Sequence, residues 1–287
     1  MTTTLVLTLL LSVAIGLSLG LLGGGGSILT VPILTYVAGL DAKEAIASSL
    51  FVVGATSAVS AVNHARAGRV KWRTGLLFGA AGMAGAFGGG LLGGFIPGTV
   101  LMIAFGLMMV ATSVAMIRGR RSRSATDTDH ELPVVKVIVE GLVVGLVTGL
   151  VGAGGGFLVV PALALLGGLP MPVAVGTSLV VIALKSFAGL AGYLTTVQLD
   201  WGLVGAVTVA AILGSVLGGR LTGIVPETAL RKGFGVFVLA MGVFVLVQEL
   251  PGAAGLTVGL VAAGLALAAT VCWIAVPRCP LRTSTAT

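Results

Sequence analysis

Gly20-Leu-Leu-Gly-Gly-Gly-Gly-Ser-Ile-Leu-Thr-Val-Pro32 returns 129 residues later as Gly149-Leu-Val-Gly-Ala-Gly-Gly-Gly-Phe-Leu-Val-Val-Pro161. The same offset, without a gap, lays Gly39-Leu40 on Gly168-Leu169, Ser49-Leu50 on Ser178-Leu179 and Trp72 on Trp201. It continues through Gly89-Gly90 and Gly218-Gly219, Pro97 and Pro226, and Phe105-Gly106 and Phe234-Gly235. From Gly20 to Ile117, 30 of 98 aligned positions are identical, well above what shared Gly, Ala, Leu and Val richness produces. The chain is an internal duplication. In a hydrophobic protein, two homologous halves point first to a transporter.

Hydrophobic residues make up 57% of the 287 and charged ones 9%, far below the roughly 25% of a soluble domain. Mean hydropathy is +1.16. The composition predicts an all-α polytopic membrane protein. Charge-free runs cover 1–40, 74–117, 141–184 and 250–277. A span needs roughly 20 apolar residues, so the two runs of 44 each hold two passes or a pass and a hairpin. Leu5–Leu22 lacks a basic leader and aligns with the start of the second half, so it reads as a span and not a signal peptide.

The spans expected in the first half are 5–22, 27–39, 43–63, 75–95 and 99–117. The second half gives 135–151, 156–168, 172–194, 203–222 and 230–248, with 254–276 added at the end. Segments 27–39 and 156–168 have 13 residues, about 20 Å of helix, too short for ~30 Å of hydrocarbon. Each follows a glycine run and holds a proline. They read as broken helices, which membranes tolerate only inside protein or along a cavity. The domain reading is a first repeat over 1–117, a cytoplasmic linker over 118–133 and a second repeat over 134–248. Residues 249–287 form a final span and tail.

The formal net charge of +7 suggests no nucleic-acid partner, because the basic residues lie in loops and set orientation. The basic loop 64–73 aligns with 193–202, which has no Lys or Arg and carries Asp200. The uncharged turn 95–100 aligns with 224–229, flanked by Arg220, Arg231 and Lys232. Opposite charge bias in homologous segments predicts an inverted-topology repeat, with the N-terminus outside and the C-terminus in the cytoplasm.

Paired broken helices mark the expected substrate site. Glycines leave N–H groups uncovered and helix N-termini add partial positive charge, so Gly24, Gly25 and Gly26 with Gly154, Gly155 and Gly156 are candidate anion ligands. Against this, glycines also serve close helix packing. Ser48-Ser49 and the equivalent Thr177-Ser178 offer hydroxyls, although such groups often bond back to their own helix. Lys185 is the sharpest residue: 14 uncharged residues follow it and more than 40 precede it. A lysine at that depth needs a counter-charge, which an anionic ligand would supply. Its repeat mate is Thr56. His64 and Asn63, beside the basic loop, are candidates for a proton or gating role. No carboxylate falls deep in a span. Cys272 and Cys279 with two histidines make no metal-ligand pattern, and no nucleotide loop, nucleophile elbow or HExxH is present. No metal, cofactor or enzymatic activity is expected.

Gly152-Ala-Gly-Gly-Gly-Phe-Leu-Val-Val-Pro161, then Gly168-Leu-Pro170, Ala174 and Gly176-Thr-Ser-Leu179, resembles the core motif of the TauE/SafE sulfite exporter family. Gly23–Pro32 repeats that pattern, and His64…Gly68-Arg-Val-Lys-Trp72 is similar to its basic loop. The resemblance runs over about 10–276. Departures are Gly24 opposite Ala153, Ser27 for a motif glycine, and Lys71 where an acid is commoner. The resemblance implies an inner-membrane secondary transporter, often an exporter, for sulfite- or organosulfonate-like anions. Its partners would be the small anion and the lipid bilayer; a homo-oligomer stays open. A passive anion channel and a non-transporting membrane scaffold or assembly subunit are the alternatives.

Overall fold

The computed structural model describes residues 2–22, 25–118, 134–152, 154–156, 171–221 and 227–250, with isolated positions between and beyond them. Every element among these is helical, and no strand occurs among the described residues. The order is α1 (Thr2–Leu22), a 3-10 turn (Gly25–Leu29), α2 (Thr30–Tyr36), α3 (Ala42–Arg66), α4 (Trp72–Phe95) and α5 (Gly98–Arg118). Then follow α6 (Val134–Val151), α7 (Met171–Tyr193), α8 (Trp201–Leu221) and α9 (Glu227–Glu249). Five are long and apolar enough to cross a membrane: α1, α3, α4, α7 and α8. The expected spans match these helices within a few residues. The linker 118–133 apart from Arg118, and most of 156–168 and of the final span 254–276, lie outside the described residues.

Local chemistry sets the short elements. Pro32 is the third residue of α2, in the first turn, where its missing N–H costs nothing. Helix α2 then stops after one further turn, and Gly39 turns the chain at φ +78°. Helix α3 ends at Gly68 (φ +68°), whose N–H bonds back to the Ala65 carbonyl at 3.0 Å. Asp200 opens α8 by accepting from the N–H groups of Gly202 (2.9 Å) and Leu203 (3.2 Å).

Glycines fuse the bundle in two matching places. A Cβ on Gly16 of α1 would collide with the Ala211 carbonyl of α8; one on Gly145 of α6 would collide with the Gly82 carbonyl of α4. Gly20 against Ser215 matches Gly149 against Ala86, and Gly214 against Val13 matches Gly85 against Leu142. Each pair becomes the other when both residues move by 129 positions in opposite senses. Backbone therefore touches backbone along α1 and α8, and again along α6 and α4, the close approach that small residues permit.

The registers also fix direction. Contacts rise together along α1 and α8 (Gly16 to Ala211, Gly20 to Ser215), so these helices are parallel. Helices α4 and α7 are parallel too, from Gly75 beside Thr177 to Gly93 beside Tyr193. The repeat mates α3 and α7 are antiparallel: Leu50 meets Gly189, Gly54 meets Ser186, and Ala61 clusters with Leu179 and Ile182. Helix α3 runs parallel to α8, through Val52 with Val204 and Val207, then a Ser60–Ser215 hydroxyl bond at 2.6 Å. Helices α1 and α3 thus point the same way. The chain between Leu22 and Ala42 therefore returns across the bundle, and the 3-10 turn and α2 lie on that return.

Candidate functional site

Lys185 lies about two thirds of the way along α7 and is 1% exposed. Its Nζ donates to the Thr148 hydroxyl at 3.1 Å. Thr148 in turn donates to the Val144 carbonyl of α6 at 2.7 Å, which fixes its oxygen toward the lysine. Among the described residues no carboxylate pairs with Lys185. A buried ammonium with one neutral partner lacks the counter-charge that would offset its lost hydration.

The glycine run completes the wall. Helix α6 closes with the Gly152 N–H on the Thr148 carbonyl at 3.0 Å, and the backbone then turns left-handed at Gly152 (φ +73°), Gly154 (φ +59°) and Gly155 (φ +65°). Only glycine takes such angles freely. Space demands it as well: a Cβ on Gly155 would fall on Lys185 Nζ and Thr148, and one on Gly154 on Val53. Gly156 begins a helical turn, with the Val159 N–H on the Gly155 carbonyl at 2.9 Å. The lysine therefore stands beside the bare backbone of this turn.

Ser186 adds a hydroxyl. It is fully buried, its Oγ has no partner, and it lies 3.5 Å from where a Cβ on Gly154 would sit. Its repeat mate Ser57 on α3 is likewise buried with an unpartnered Oγ. Thr56-Ser57 and Lys185-Ser186 thus bring matching dipeptides to the α3–α7 crossing. Buried hydroxyls are nearly always hydrogen-bonded, so two orphans at one crossing call for an explanation.

The other expected residues divide. Ser49 donates to the Gly152 carbonyl at 2.8 Å and so pins the glycine run to α3, while the Ser48 hydroxyl is buried without a partner. Thr177 accepts from the Lys71 N–H at 3.0 Å, holding the basic loop on α7. Ser178 donates to the Val175 carbonyl at 2.7 Å. Because α3 and α7 are antiparallel, the two hydroxyl pairs do not converge. At about 1.5 Å per residue from the Gly54–Ser186 crossing, they stand roughly 20 Å apart. Gly25 and Gly26 form the 3-10 turn before α2, and Gly24 lies outside the described residues. His64, its Nδ1 buried and unpartnered, and Asn63 end α3, and the His64 side chain packs against Gly176 at the basic loop. Thr148, Ser57 and Ser186 are site residues that the sequence reading passed over. Ser57 and Ser186 are identical at one register within apolar helices, a signal that was present; Thr148, opposite Leu19, carried none.

Membrane-length helices around a buried ammonium, bare glycine backbone and hydroxyls define a multispanning membrane protein with a polar interior. The chain belongs to the sulfite exporter TauE/SafE family, whose model matches residues 8–245. It is 33% identical over 242 residues to a probable membrane transporter protein of Xylella fastidiosa, covering 81% of this chain and 91% of that one. A probable membrane transporter protein of Methanocaldococcus jannaschii is 31% identical over 199 residues, 66% of this chain and 73% of its own. One from Bacillus subtilis is 25% identical over 229 residues, 79% and 94% respectively. No solved structure matches the chain. The protein is a membrane transporter of this family.

Proposed function

We propose that the protein is a secondary carrier that exports a small sulfur oxyanion, of the sulfite or organosulfonate class, by alternating access between two inverted repeats. The substrate binds at the α3–α7 crossing. Lys185 neutralises it, the N–H groups around Gly154, Gly155 and Gly156 and the Ser186 hydroxyl donate to its oxygens, and Thr148 holds the ammonium in place. The observation that carries this reading is the buried Lys185, bonded to one hydroxyl and set against the glycine turn at Gly155. An oxyanion satisfies the ammonium, the bare glycine N–H groups and the orphan hydroxyl together.

The antiparallel packing of α3 on α7 supports inversion of the halves, because these helices are repeat mates. With the basic loop 67–71 in the cytoplasm, the positive-inside bias puts the N-terminus outside. The family description supports the substrate class, and every oxyanion of sulfur presents the acceptors this site would pair.

Counterflow tests the reading. Proteoliposomes loaded with unlabelled sulfite, thiosulfate, sulfoacetate or sulfate are diluted into the labelled anion. Saturable, trans-stimulated uptake of one sulfur anion is the expected result. Unsaturable flux without counterflow would indicate a channel, and no flux of any of the four would sink the proposal.

A further inference from the structure

The internal symmetry also breaks where α3, α4 and α7 meet. A cavity of about 320 Å³ opens between α3, α4 and α7, walled by Ala58, Val180, Ala183 and Leu184, with Trp72 and Arg66. At the equivalent place 129 residues away, two of the lining positions carry phenylalanines instead. Ala58 corresponds to Phe187, Val180 to Phe51 and Trp72 to Trp201, and these three rings close on one another. Phe51 meets Phe187 edge-on at 6.2 Å and Trp201 at 5.5 Å between ring centroids. One repeat packs Phe51, Phe187 and Trp201 against one another; the other carries Val180 and Ala58 beside Trp72, where the cavity lies.

Charge differs in the same sense. Arg66, exposed at the cavity, corresponds to Thr195, and Arg69, Lys71 and Arg73 follow it in the adjoining loop. Trp72 is 55% exposed at the start of α4, the depth at which tryptophans anchor at membrane interfaces. The cavity thus needs an apolar occupant with an anionic end beside a guanidinium. The bilayer itself supplies that molecule.

We infer that this groove binds an anionic phospholipid from the leaflet facing the basic loop, an acyl chain in the cavity and the phosphate on Arg66. Cation pockets between membrane helices recognise anionic headgroups in this way. The chain takes the volume that Phe51 and Phe187 fill in the other repeat. The inference is independent of which solute the carrier moves.

Trp72 reports on the groove. In the full chain carrying Trp201→Phe and Trp273→Phe, fluorescence is read in nanodiscs containing phosphatidylglycerol or phosphatidylcholine with brominated acyl chains. Binding gives quenching that saturates at a severalfold lower mole fraction of phosphatidylglycerol than of phosphatidylcholine. Arg66→Gln should remove that preference, and Ala58→Phe with Val180→Phe should remove the excess quenching by filling the groove as its counterpart is filled. Native mass spectrometry of the wild-type chain should retain phosphatidylglycerol, and of Arg66→Gln should not. Equal quenching by both lipids, unchanged by Arg66→Gln, would mean bulk bilayer contact and overturn the proposal. Loss of anion flux in the filled variant with lipid preference intact would make the groove a solute path and overturn it too.

Discussion

Lys185 and Thr148 meet at 3.1 Å, whereas their equivalents 129 residues earlier, Thr56 and Leu19, form no pair. The Thr56 hydroxyl turns back to the Val52 carbonyl at 2.6 Å, and Leu19 packs with Val53 and Ile182. The fold repeats itself while the buried charge does not. In the proposed carrier the ligand would be held against one repeat, and the half opposite would move past it.

Thr148→Val keeps the shape and removes the acceptor. Losing a hydrogen bond to a charged group costs about 1.5–3 kcal/mol, so the substrate KM should rise roughly tenfold or more, with folding preserved. Flux kinetics in proteoliposomes check this. An unchanged KM would mean that Lys185 is held by something else.

Gly155→Ala and Gly39→Ala separate backbone strain from collision. Both positions have positive φ, +65° and +78°, but a Cβ on Gly39 meets nothing within 4 Å while one on Gly155 meets Lys185 Nζ. Strain alone costs about 1–2 kcal/mol. Gly39→Ala should lower the melting temperature modestly and keep transport; Gly155→Ala should abolish transport.

Gly85→Val and Gly214→Val occupy equivalent contacts, against the Leu142 and Val13 carbonyls. Each should destabilise the detergent-purified protein by about 1–3 kcal/mol or more, and by similar amounts. Gly88→Val, with open space around it, is the control. Unequal losses would mean that the two glycine seams do not carry the bundle alike.

Arg69→Cys and Gln198→Cys, placed in a chain with Cys272 and Cys279 changed to Ser, test the inversion. Both positions are exposed and both lie in the loop after a repeat-mate helix. A membrane-impermeant thiol reagent should label Gln198→Cys from outside intact cells and Arg69→Cys only after the membrane is opened. Labelling from the same side would exclude opposite orientations.

Much of the fold was legible because a gap-free repeat and a charge-free alphabet leave few choices. The glycine run before it and Pro32 marked the short helix α2. Lys185 stood out through depth alone. Its partner did not, since Thr148 is one hydroxyl among many in apolar helices and only packing brings it to Nζ. Ser48-Ser49 and Thr177-Ser178 looked like one site because they share a register. In an antiparallel pair, a shared register puts residues at opposite ends unless they sit at the crossing, as Ser57 and Ser186 do.

The most direct measurement is saturable flux of labelled sulfite in proteoliposomes for wild type against Lys185→Met. A binding lysine gives wild-type uptake that saturates and a mutant that folds, inserts and carries at least tenfold less. Equal flux in both would contradict an anion site at Lys185.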